Sequence, residues 1–293
     1  MKSLVFSIIL GFAISFPLMA QSRGTGSGSP GLGADVSGAL SQMEGALAQP
    51  DEDMSFQDAY FLGRAVAANI LSRYGPYTEK PALTHYLNQI CTAITINSPT
   101  PEIYGGYHVS ILDSPDLNAF ATTGGHIFVC RGLLEAVSSE DALAAVLAHE
   151  IAHIQLKHSD EIIKNMRLTQ ALSDIAQRAG DIAAREAGLR EREVLFSNYV
   201  RELVTTLVVN GYSRDKEFEA DSYALTLLAL AGYSPASLVE VLTLLQRAGG
   251  VDGYNGTHPS PAQRINNVRN ALPRYRVQDT SSSRSSRFAD FVK

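Results

Sequence analysis

The pentapeptide His149-Glu150-Ile151-Ala152-His153 constrains this chain more than any other feature. It follows Ala142 to Ala148, a run of Ala, Leu and Val alone, which favours a helix buried on most sides. Residues four apart on a helix share a face, so both imidazoles point to one place. Glu150 lies beside that face, where its carboxylate reaches a metal-bound water rather than the metal. Two His ligands with a neighbouring carboxylate as general base suit a hydrolytic zinc site.

A third ligand is needed, and the segment Ser213-Arg-Asp-Lys-Glu217-Phe-Glu219-Ala-Asp221 offers one. Glu217 and Asp221 are four apart and share a face of a predicted helix, with Glu219 pointing roughly opposite. Two His and one Glu leave the fourth position of a catalytic zinc to water. The expected ligands are therefore His149, His153 and Glu217, holding one Zn2+ per chain. Asp221 is expected to accept a hydrogen bond from a liganded His. A metzincin pattern would need Gly at 156 and His at 159, where the chain has Leu156 and Ser159. His158 falls on the wrong face of the extended helix and is read as favoured by its C-terminal dipole. His85, His108 and His126 are read as structural.

The periodicity around these motifs is mostly helical. Helices are expected at Phe56–Tyr74, Thr78–Ile96, from Ser138 or Ser139 to about His158, from Ser213 to Gly232, from Ser234-Pro235 to about Gly249, and from Ser260-Pro261. Asp141 is read as completing a capping box with the preceding serine. Short strands are expected at Tyr107–Leu112, Ala119–Thr122 and His126–Cys130, with Gly124-Gly125 as the turn between the last two. The fold class is α+β, mainly helical, with a small β-sheet beside the zinc-binding helix. Residues 118 to 122 are placed as an edge strand, so Asn118, Ala119 and Phe120 are the expected substrate-binding residues, pairing with an extended peptide. The long charged stretch 160 to 210 is read as helical and as covering the site or mediating dimerisation. Cys91 and Cys130 are read as buried apolar residues in preference to a disulfide pair.

The ends read differently. Lys2 followed by an apolar run from Leu4 to Leu18 resembles a secretory signal peptide at 1–20, cut after Ala20. Gly11 and Pro17 interrupt the run, which disfavours an uncleaved anchor. Residues 21–51 are a flexible Gly/Ser-rich linker, 52–275 the catalytic domain, and 276–293 a disordered tail. A formal net charge of -6 argues against nucleic acid as a partner. No stable membrane span is expected after signal cleavage, and the sequence leaves self-association open.

These motifs resemble the gluzincin peptidases that include the CAAX prenyl proteases, the mitochondrial Oma-type proteases and the bacterial HtpX-like and BepA-like proteases. The likeness is carried by His149-Glu150-x-x-His153, by Glu217-x-x-x-Asp221, and by Asn118-Ala119-Phe120-Ala121 leading through Gly124-Gly125 to Ile127-Phe128-Val129. It spans about 55 to 272, with Thr123 where the family often has Pro. The resemblance implies a zincin-type metalloprotease of the exported bacterial branch, periplasmic in a Gram-negative cell, acting on unfolded or misfolded envelope proteins. It also implies catalytic roles for two further residues. His258, in His258-Pro259, would lie over the zinc as a latch or as a transition-state stabiliser, and Arg264 would contact the oxyanion or the substrate backbone. The competing reading is a chaperone-like envelope protein with a structural or latent zinc site. Glu150 separates the two, since a structural site has no use for a general base there.

Overall fold

The computed structural model describes residues 54–165, 194, 196–248, 261–276 and 281–292. The signal peptide and linker expected at 1–51, and His258, lie outside these residues. Helix α1 (Phe56–Tyr74) begins at Ser55, whose hydroxyl accepts from the Asp58 amide, and stops where Gly75 takes φ 73°. Helix α2 (Pro81–Ile96) has Pro at its first position, where no intrahelical amide donor is needed. Strands β1 (His108–Leu112), β2 (Ala119–Ala121) and β3 (His126–Cys130) form one sheet in the order β1-β3-β2. β1 runs parallel to β3 with His108 opposite His126, and β2 runs antiparallel to it with Phe120 opposite Phe128. A tight turn at Thr123–Gly125 joins β2 to β3, with Gly124 at φ 75°.

Alternation along the strands divides the interior into two cores. Val109, Ile111, Ala121, Ile127 and Val129 face one side. There they meet α2 and the central helix α4 (Glu140–Gln155), which is reached through the short α3 (Arg131–Ala136). Leu112, Phe120 and Phe128 face the other side, against Leu62, Val66 and Ile70 of α1 and against Tyr199, Leu203 and Val204 of the helical residues 196–205. Each fully buried Leu or Ile in these layers contributes roughly 1.5–3 kcal/mol. Helix α4 is buried nearly all round, as its Ala/Leu/Val composition predicts. Helices α6 (Arg214–Leu230), α7 (Ser237–Arg247) and α8 (Pro261–Ala271) complete the first core around it. No helix among the described residues is long and apolar enough to cross a membrane.

Three local expectations need correction. Ser139 caps α4 alone, accepting from the Ala142 amide. Asp141 does not close a capping box; it accepts from the Ser234 amide at 2.8 Å and from Arg284 at 2.7 Å. Nor is 276–293 structureless throughout: Ser281–Phe291 forms helix α9. Phe288 is buried in the core and Phe291 stacks on Tyr86 at 4.6 Å. Arg284 pairs with Asp141, while Arg287 pairs with Glu140, which Tyr86 and Tyr233 also bind through their hydroxyls. A run of Ser and Arg carries little helix signal, so only these distant partners explain the order. Lastly, the helix ending near His158 stops at Gln155; Lys157 takes φ 54°, and a new helix α5 (His158–Asn165) begins. Beyond 165, most of the stretch up to 195 lies outside the described residues. Cys91 and Cys130 are both free and buried, and burial pushes each thiol up to about 12.

Candidate metal centre

Helix α4 presents His149 and His153 on one face, and the first turn of α6 brings Glu217 to them. The two Nε2 atoms are 3.1 Å apart, and each lies 3.5 Å from a carboxylate oxygen of Glu217. All three side chains are buried, Glu217 completely. Among the described residues this is the group whose ligand atoms lie within 4.8 Å of one another. Tetrahedral ligands about 2.0–2.1 Å from an ion are separated by roughly 3.3–3.4 Å, so the triangle has the size a zinc-like cation needs. Two imidazoles and a carboxylate converging in a buried site are the donor types that catalytic zinc takes. The donor set therefore fits a divalent metal.

The surrounding groups orient the ligands. His149 turns its Nδ1 towards Asp221, 3.2 Å away. Arg264, from α8, grips Asp221 through Nε and Nη2 and reaches Glu217 through Nη1, each at 2.7 Å. Burial and the Arg264 charge oppose protonation of His149, yet Asp221 and Glu217 outweigh both and hold it up to about 9. Burial would raise the Asp221 carboxyl, but Arg264 overrides it and holds that group below its usual range.

Glu150 is 3% exposed and lines a small cavity of about 30 Å3 with His149, Asn118, Ala119 and Arg264. Apolar side chains of α7, among them Leu238 and Leu242, close its far wall. Two of the three residues expected to meet substrate thus border the site. Strand alternation turns the ring of Phe120 into the opposite core, against Phe128 at 5.6 Å and Tyr74 at 6.5 Å, while its main chain stays on the edge strand. Arg264 borders the cavity as well, and its guanidinium is held by the buried Asp221 and Glu217 carboxylates, which its position on the third helix of the cluster makes possible.

Two neighbours escape helical counting. The chain reversal at Lys157 returns His158 beneath the site, where it is 2% exposed and 2.8 Å from His153, Nδ1 to Nδ1. Glu219 does leave the metal face, and it meets His158 Nε2 at 3.1 Å. Tyr212 stacks on His153 with ring centroids 4.1 Å apart and shares a 2.8 Å hydrogen bond with Ser159. No local pattern announces either ring, because a left-handed residue and a loop bring them in.

Comparison with known proteins agrees with this arrangement. The chain is 29% identical over 235 residues to mitochondrial metalloendopeptidase OMA1 of Schizosaccharomyces pombe, covering 77% of this chain and 62% of that protein. It is 31% identical over 199 residues to metalloprotease LoiP of Escherichia coli, covering 67% of this chain and 74% of LoiP. With the beta-barrel assembly-enhancing protease of Escherichia coli it shares 22% over 218 residues, covering 71% and 42% respectively. The chain therefore spans from under half to about three-fifths of the length of several relatives it matches. The profile described as Peptidase family M48 matches residues 81–272, a span that holds the sheet, helix α4 and every residue of the triangle. With that match over most of the chain and the ligand geometry inside it, this protein belongs to peptidase family M48.

Proposed function

We propose that the chain is a zinc-dependent endopeptidase that hydrolyses unfolded or misassembled proteins of the cell envelope after export. The observation that carries the reading is the triangle of His149, His153 and Glu217, with Glu150 lining the same small cavity as His149. Zinc held by these three residues would supply Lewis acidity, bringing the pKa of a bound water to about 7. Glu150 would serve as general base towards the attacking water and would return the proton to the leaving amine. Asp221 and Arg264 keep His149 and Glu217 oriented without moving during the reaction.

Strand β2 pairs with β3 along one side, and Asn118 and Ala119 border the cavity, so its other side is suited to add an extended peptide. Main-chain pairing tolerates many side chains and favours unfolded clients. Relatives named for beta-barrel assembly support an envelope substrate, and the apolar run at Leu4 to Leu18 supports export to the periplasm. The test is casein hydrolysis by residues 21–293 beside Glu150→Gln, with zinc quantified in both. One zinc in each, with hydrolysis reduced at least about a hundredfold in the variant, supports the ligand and base assignments together. Equal hydrolysis by the two proteins would remove Glu150 from the mechanism.

A further inference from the structure

The two imidazoles of the triangle are oriented by different devices. His149 has a buried carboxylate, Asp221, at its Nδ1. At His153 the Nδ1 faces His158 Nδ1 at 2.8 Å, and His158 Nε2 faces a Glu219 carboxylate oxygen at 3.1 Å. The proton placement along this line follows from its two ends. Nε2 of His153 points at His149 and Glu217, so as a ligand it carries no proton and its N–H is at Nδ1. That N–H donates to His158 Nδ1, which leaves the His158 proton on Nε2, donated to Glu219. Each of these two N–H groups then meets an acceptor.

We infer that His158 and Glu219 form a positioning relay that fixes the tautomer and ring plane of His153 for the metal. The inference rests on the reading of the triangle as a metal site. Tyr212, lying against the other side of the His153 ring, limits its tilt. His158 is buried, whereas the Glu219 side chain is 54% exposed and also meets Lys216 at 3.4 Å. A surface carboxylate thus acts on a buried ligand through one intervening ring. Outer partners of liganding His residues generally carry roughly ten- to hundredfold of metal affinity.

The experiment measures zinc affinity of the full chain by chelator competition, with thermal unfolding of the metal-free proteins alongside. His158→Ala removes the acceptor and is expected to weaken zinc binding roughly ten- to hundredfold. His158→Asn places an amide oxygen near the lost Nδ1 and is expected to recover most of that loss. Glu219→Ala, at an exposed position that folds regardless, is expected to weaken binding several-fold with the metal-free unfolding midpoint unchanged. In the His158→Asn background the Glu219 substitution should have no further effect, because the relay is already cut. Wild-type affinity in both His158→Ala and Glu219→Ala overturns the inference, as does an undiminished Glu219 effect in the His158→Asn background. A parent chain that binds no zinc sinks the metal reading itself, a result distinct from either.

Discussion

Arg264 forks onto Asp221, donating from Nε to Oδ2 and from Nη2 to Oδ1 at 2.7 Å in each case. Its remaining nitrogen reaches Glu217, also at 2.7 Å, and all three side chains are at most 3% exposed. One cation therefore balances two carboxylates that no solvent screens.

Removing that cation should be costly. Arg264→Ala leaves two buried carboxylates facing each other, and breaking a buried pair in this way costs about 3–5 kcal/mol. Arg264→Lys keeps the charge and loses the fork, so its stability should fall between the two. Urea unfolding of the metal-free proteins measures both; a loss below about 1 kcal/mol for Arg264→Ala would contradict the geometry.

His126 supplies a pH prediction away from the metal. Burial, reinforced by the charges of His108 and Arg64, lowers its pKa from 6.5 to about 4. The unfolded chain therefore binds the proton first on acidification. The contribution of neutral His126 is complete above pH 6.5 and declines as pH falls from there towards 4, by at most about 3 kcal/mol. His126→Phe keeps a ring against Tyr60 and His108 and should flatten this limb. Unfolding free energies of the metal-free proteins, compared across the window, test it: two parallel curves would refute the assignment.

Gly63 separates helix propensity from packing. In the middle of α1, Ala should improve the helix by about 1 kcal/mol. A Cβ there would lie 1.9 Å from the Thr123 carbonyl oxygen, in the turn that leads into β3. Gly63→Ala should therefore destabilise the fold by about 1–3 kcal/mol, read from the shift of the urea midpoint. A more stable variant would show that α1 and the turn separate easily.

Helix α9 is tested at Arg284, which donates to Asp141 at 2.7 Å and to the Gly232 carbonyl at 3.2 Å. Arg284→Ala should cost about 2 kcal/mol, or about 4–8 °C in Tm for a domain of this size. A scan with no shift would mean that the Ser/Arg segment adds nothing to the fold.

Much of the site was legible because its chemistry is local. His149 and His153, and likewise Glu217 and Asp221, are four apart, and a helix converts that spacing into a shared face whatever surrounds it. The Ala/Leu/Val run identified α4 as buried, and the pair Ser138-Ser139 marked its start, of which the fold uses Ser139. Alternation and turn glycines located three short strands. That two His and a Glu could meet was thus written in residue type and spacing.

What the tertiary structure alone decided is who touches these residues. Arg264 had a role only by resemblance, and the folded chain set its guanidinium on carboxylates of another helix. The ring of Phe120 takes the second core because both faces of the sheet are covered. His158 was placed by extending a helix three residues beyond its end at Gln155, and Asp141 and the 281–292 segment found each other across the fold. Sequence spacing determines which side chains share a face, because that follows from backbone period. Which face meets which depends on loop reversals and on burial shared among distant segments, and those energies exist only once the chain is packed.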